Sequence, residues 1–168
     1  MMEELFETVM GEYIPSEMTE WLKEQGFFEK PASIKYHGCK NGGLFVHSNE
    51  VMNVLLEMTE KMNIKWKNPR SPYIVGMFHD LCKVDDYVEQ ESEWTYNNDK
   101  LLKGHGDKSI MMLSQFMTLT EEEILCIRYH MGAYDIDDWD AYDKAIKKYE
   151  TVLWTHHADM YTSKVMGV

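Results

Sequence analysis

His79 and Asp80 stand side by side near the end of an apolar run, Tyr73, Ile74, Val75, Met77 and Phe78. A carboxylate inside such a helix is costly unless it is paired, hydrogen-bonded or bound to a metal. Neighbouring helical residues point about 100° apart, so His79 and Asp80 reach one point only if it lies between their directions. Lys83 follows Asp80 by three residues and lies on nearly the same face. A cation beside a carboxylate suits a phosphate held next to a metal, which makes Asp80 and Lys83 the candidate catalytic residues. Alone, a His-Asp pair is a weak signal.

Its company strengthens it. His47 follows Gly42-Gly43-Leu44 and shares a face with Val51. His105 sits between Gly104 and Gly106 at a loop-to-helix junction. His130 closes a helix whose Cys126 and Ile127 share its buried side. His156 and Asp159, three apart, share a face of the last helix, whereas His157 is turned away from Asp159 by about 200°.

In that order these residues resemble the HD superfamily of metal-dependent phosphohydrolases, over roughly residues 27 to 162. Phe27-Phe28, Pro31-Ala32-Ser33 and Lys35-Tyr36-His37-Gly38 resemble the entry segment of a bacterial subgroup. Gly42-Gly43-Leu44 leading to His47-Ser48 looks like the first ligand helix, and His79-Asp80-Leu81-Cys82-Lys83 like the motif that names the superfamily. Gly104-His105-Gly106 with Ser109, and Arg128-Tyr129-His130-Met131-Gly132, resemble the second-metal segments of two-metal members. The resemblance implies one metal at His47, His79, Asp80 and Asp159, and a second at Asp80, His105 and His130, with Asp80 bridging. It also implies substrate contacts from Lys83, His37 and His156. One departure is Met131, where many two-metal members carry a further histidine.

An imidazole-rich, carboxylate-bridged pair suits Fe, Mn, Ni, Co or Zn better than Mg or Ca. Such divalent transition ions lower the pKa of bound water, so a metal-bound hydroxide exists near neutral pH to attack phosphorus. The expected activity is hydrolysis of a phosphate ester or anhydride, with a small nucleotide-type substrate. Two other activities follow from the same resemblance. The entry segment is also similar to the HD half of a bacterial 3′-to-5′ exoribonuclease family, and mixed-valent diiron oxygenases share the fold and ligand types.

The elements that must position these residues are helical. Glu3 to Met10 and a segment opened by Ser16 are read as short N-terminal helices. A turn at Gly38, Gly42 and Gly43 feeds a long helix from about Leu44 to Met62, with Val51, Leu55, Met58 and Met62 at helical spacing. Ser71-Pro72 opens a helix to about Val84. Tyr87 to Tyr96 reads as a small hairpin turning near Ser92. Asp107 is expected to cap a helix carrying Ile110, Leu113 and Met117. Thr120 and Glu123 form a capping box for a helix to about Met131. The acidic stretch Asp135, Asp137, Asp138 and Asp140 lacks the glycine of a calcium loop and reads as a solvated loop. The expectation is an all-α, single-domain HD-type helical bundle over residues 1–168, with residues 1–26 packed on it.

The 168 residues, 44% of them hydrophobic, can bury a core without help from metal or disulfide. Seventeen basic against 29 acidic residues give a net charge of −12, which disfavours long nucleic acid as a partner. A small anion in a locally positive pocket is compatible with that charge. Cys39, Cys82 and Cys126 form no CxxC pair and read as free thiols in a reducing cytoplasm. No apolar run is long enough to cross a bilayer. Oligomeric state is not legible.

Overall fold

The computed structural model describes residues 1–36 and 38–168. It is mostly helical, with one two-stranded antiparallel sheet. Helices α1 (Met2–Met10) and α2 (Ser16–Glu24) precede the long α3 (Gly43–Met62) and α4 (Ser71–Phe78). A single-turn α5 (Lys83–Asp86) leads into β1 (Tyr87–Gln90) and β2 (Glu93–Tyr96). Helices α6 (Gly106–Leu113), α7 (Glu121–Arg128), α8 (Trp139–Lys148) and α9 (Thr151–Tyr161) complete the bundle. A short π-helical turn, Thr162–Met166, extends α9.

The centre is α3 packed on α4 and α9, with α7 against α4 and α9. Gly76 is what lets α4 approach α3. A Cβ there would lie 2.4 Å from Met52 Cα, a backbone atom with nowhere to go. The N-terminal segment joins the same core through Phe6, Met10, Ile14, Met18 and Leu22. Phe6 meets Phe28 at 5.4 Å and Phe78 at 6.2 Å between ring centroids, both edge-on, so α1 is fastened to the segment between α2 and α3 and to α4. Edge-to-face rings set their quadrupoles favourably beyond the area they bury.

The start of α3 is built by backbone. Gly42 N–H donates to Glu29 O at 2.7 Å and Leu44 N–H to Lys30 O at 2.9 Å. Gly43 must be glycine, because a Cβ would fall 2.0 Å from Gly38 O. These bonds set His47 one turn into a fixed helix. The hairpin turns through Glu91 and Ser92, both at positive φ, a two-residue turn whose twist matches the strands.

Several expectations need correction: α6 ends at Leu113, short of Met117, and α7 ends at Arg128, short of Met131. The helix opened by Ser71 stops at Phe78 rather than reaching Val84, since residues 79–82 form successive tight turns. Leu81, Lys83 and Val84 N–H bond carbonyls three residues back, and Cys82 N–H is taken by Ser109 Oγ at 3.0 Å. Ser16 is the first residue of α2 with Pro15 before it, and makes no side-chain cap. Asp107 does not cap α6, because its carboxylate is drawn into an ion pair with Arg128. The acidic stretch is only partly loop: Asp138 caps α8 by accepting from Ala141 N–H at 3.0 Å, and Asp140 lies in its first turn. The capping box at Thr120 and Glu123 is formed in both directions.

Candidate metal centre

The His-Asp pair sits where α4 gives way to turns, and the break aims both side chains inward. His79 is fully buried and Asp80 is 3% exposed. Helix α3 brings in His47, the start of α6 brings His105, the turn after α7 brings His130, and α9 brings Asp159. Elements far apart in sequence therefore converge on one carboxylate.

Asp80 divides its oxygens between two groups. Oδ2 lies 3.6 Å from His79 Nε2 and 3.8 Å from His47 Nε2. Oδ1 lies 3.4 Å from His130 Nε2 and 3.5 Å from His105 Nδ1. Asp159 Oδ1 closes the first group, 3.2 Å from His47 Nε2 and 3.9 Å from His79 Nε2. His47 and His79 present Nε2 atoms 3.3 Å apart.

Backbone carbonyls hold the outer nitrogens. His79 Nδ1 bonds Gly76 O at 2.9 Å, His130 Nδ1 bonds Ile127 O at 2.7 Å, and His47 Nδ1 bonds Val168 O at 2.9 Å. A carbonyl can only accept, so each ring carries its proton on Nδ1 and leaves the Nε2 lone pair facing the cluster. The donors fit a metal ion. Asp80 Oδ1 and His130 Nε2 are buried and face each other at 3.4 Å with no hydrogen bond among the described residues, and a cation between carboxylate and imidazole would serve both. Two sets, His47-His79-Asp80 and Asp80-His105-His130, have ligand atoms mutually within 4.8 Å. These buried groups could hold a metal ion.

Burial pushes His79 down to about 4, against the pull of Asp80 and Asp159. His105 is lowered for the same first reason. Burial also works against charge on His130, but the Asp80 carboxylate outweighs it and leaves His130 above its ordinary value. Asp80 is held well below the carboxylate range, since Lys83, His79 and His130 overcome the burial that would raise it. Asp159 is lowered too, with His47 as the main opponent of burial.

Lys83 is 7% exposed and its Nζ donates to Asp80 Oδ2 at 2.5 Å. A cavity of about 720 Å³ opens over the cluster, lined by Asp80, Lys83, His105 and Asp159 and walled by Tyr36, Tyr87, Tyr96 and Tyr134. Lys100 and Lys164 add positive charge to its lining. His47, His79 and His130 are fully buried and lie outside that lining.

The remaining expected residues fall elsewhere. His156 was expected to touch substrate, but its Nδ1 bonds His130 O at 2.7 Å and its ring lies over Gly132. It is outside the cavity lining and props up the His130 turn instead. His37 lies outside the described residues. His157 is exposed and bonds Leu153 O of its own helix. Arg128 pairs with Asp107 on the surface. Trp94 donates to Asn41 Oδ1 at 2.7 Å, tying the hairpin to the loop before α3, while Tyr96 lines the cavity.

The sequence marks Cys82 only as a free thiol and gives Asp86 no role. Cys82 Sγ is 3.1 Å from His105 Nδ1, and Cys82, Asp86 and His105 form a third set of ligand atoms within 4.8 Å. Burial pushes the Cys82 thiol up. The signal was present in the spacing of Cys82 and Asp86, one helical turn apart, but the partner histidine comes from another element. Cys39 is exposed, Cys82 and Cys126 are buried, and none of the three forms a disulfide among the described residues.

No family model, curated protein or solved structure matches the chain. No described helix is long and apolar enough to cross a membrane.

Proposed function

We propose that this protein is a metal-dependent phosphohydrolase acting on a small phosphorylated substrate, with a nucleotide as the best candidate. The observation that carries the reading is the division of Asp80, whose two oxygens face two different histidine pairs. A bridging carboxylate between imidazoles suits two first-row divalent ions, Fe, Mn, Co, Ni or Zn. His47, His79, Asp80 and Asp159 would hold one, and Asp80, His105 and His130 the other. Such ions lower the pKa of water and offset charge on phosphoryl oxygens.

The chain's own groups supply the rest. Lys83 lines the cavity beside Asp80, where its ammonium can bind a phosphoryl oxygen and steady the charge that grows there. With Lys83, the lining lysines Lys100 and Lys164 stand against four carboxylates, Asp80, Asp86, Asp135 and Asp159, so cations for a phosphate sit among carboxylates that can hold metal. The four lining tyrosines supply aromatic surface against which a base or sugar could pack, and about 720 Å³ is within the range of small-ligand sites. A solvated HD-type bundle with one active centre accounts for these features together.

The test is elemental analysis of anaerobically purified protein, followed by a phosphate-release screen over nucleotides with each added metal. Metal in the protein and release from a nucleotide support the reading. Iron with turnover that needs oxygen would replace it by diiron oxygenase chemistry on the same ligands. Absence of metal, with no uptake of any of the five ions, would sink it.

A further inference from the structure

Behind the wall of the cavity, Cys82, Asp86 and His105 bring one sulfur, one carboxylate and one imidazole together. The Cys82 side chain is fully buried, with Sγ 3.1 Å from His105 Nδ1. Asp86 and His105 both line the cavity, so an ion entering from solvent meets them before it reaches the sulfur. The three ligand atoms are mutually within 4.8 Å.

We propose that Cys82, Asp86 and His105 form a separate site for a thiophilic divalent cation such as Zn²⁺ or Cd²⁺, and that filling it withdraws His105 from the Asp80-His130 pair. Mixed sulfur, nitrogen and oxygen ligation is what such ions accept, and thiolate selects against Mg²⁺ and Mn²⁺. Binding releases the thiol proton to solvent as the sulfur-metal bond forms, while neutral His105 gives the Nδ1 lone pair.

Two features of the surroundings decide whether the site can work. Lys100 and Lys108 both bond Asp86, at 2.7 and 3.1 Å, but both do so through Oδ1 and neither reaches Oδ2. The carboxylate is therefore held in place with an oxygen to spare. Asp85, which pairs with Lys108 at 2.7 Å, adds a second negative charge that offsets the lysines. The cost falls on His105. Its Nδ1 is 3.1 Å from Cys82 Sγ and 3.5 Å from Asp80 Oδ1, and one lone pair serves one ion. A soft cation at the sulfur should therefore compete with the second ion of the main centre.

Cadmium alone is the probe, titrated into metal-free protein carrying Cys39→Ser so that the exposed thiol does not contribute. The readout is the ultraviolet charge-transfer band of a thiolate-cadmium bond, which does not depend on turnover. The expected result is a saturable band that disappears in Cys82→Ser and survives His47→Ala, a ligand of the other set. Asp86→Asn should weaken cadmium binding about tenfold or more. Cadmium should also lower manganese uptake in the Cys82 protein and not in Cys82→Ser. A band that is absent, or that persists in Cys82→Ser, overturns the proposal, whatever phosphate release shows.

Discussion

Lys83 donates to Asp80 through Oδ2, the oxygen that also faces His47 and His79. One lysine thus partners the carboxylate shared by both histidine pairs while also lining the cavity. Lys83→Met should keep the fold and most of the metal while lowering turnover by about 10²-fold, the scale of one lost electrostatic stabiliser. Lys83→Arg should restore only part, because a planar fork does not replace a point charge in a shaped pocket. Kinetics and metal content measured on the same samples decide. Metal lost together with activity would make Lys83 a support for Asp80 instead.

Asp80→Ala should abolish activity and remove metal from both sets, since Asp80 is the residue they share. His157→Ala is the control. That ring is exposed and bonds within its own helix, so metal content and turnover should match wild type. The measurement is metal per chain after gel filtration.

Gly132 has φ +55°, and a Cβ there would meet the His156 ring at 2.5 to 2.7 Å. Gly132→Ala should cost at least about 1 kcal/mol from the left-handed backbone alone, and more while His156 stays in place. In Gly132→Ala/His156→Ala the steric part should vanish and the backbone part remain. Denaturant titration of the two single variants and the double variant separates them.

Gly76→Ala tests the crossing of α3 and α4. The added methyl would press on Met52 backbone 2.4 Å away, and overpacking of this kind costs about 1–3 kcal/mol. A lower urea midpoint with an unchanged slope is the expected outcome. An unchanged midpoint would mean that the two helices part freely.

The metal-free protein should lose stability on acidification from about pH 6.5 toward pH 4. His79 is pushed down to about 4 from 6.5 by burial, so in that window the unfolded chain binds a proton the folded one refuses. His105, also lowered, acts in the same direction. His130 is raised, so its contribution is already complete below its unfolded value and does not reverse the trend. His79→Asn should flatten the slope of melting temperature against pH across this window. Equal slopes in the two proteins would show that His79 is not buried neutral.

Periodicity and capping made much of this molecule legible from the residues alone. The spacing of Val51, Leu55 and Met58 marked α3, and Thr120 with Glu123 marked the start of α7, because local hydrogen bonds and apolar stripes are written in short stretches of chain. The hairpin was legible for the same reason, as was the turn of His157 away from Asp159. The histidines and aspartates could be named as one group from their types and order. Their division into two sets could not be read from spacing, since it depends on which oxygen of Asp80 each distant element approaches. Tertiary contacts also decided the local surprises. Ser109 takes the Cys82 N–H within the turns that follow α4, Arg128 drew Asp107 away from its cap, and His156 turned to the His130 carbonyl rather than the cavity. Cys82 met His105 for the same physical reason: a side chain's partner is chosen by packing in space, and residues 23 apart in sequence have no local rule that joins them.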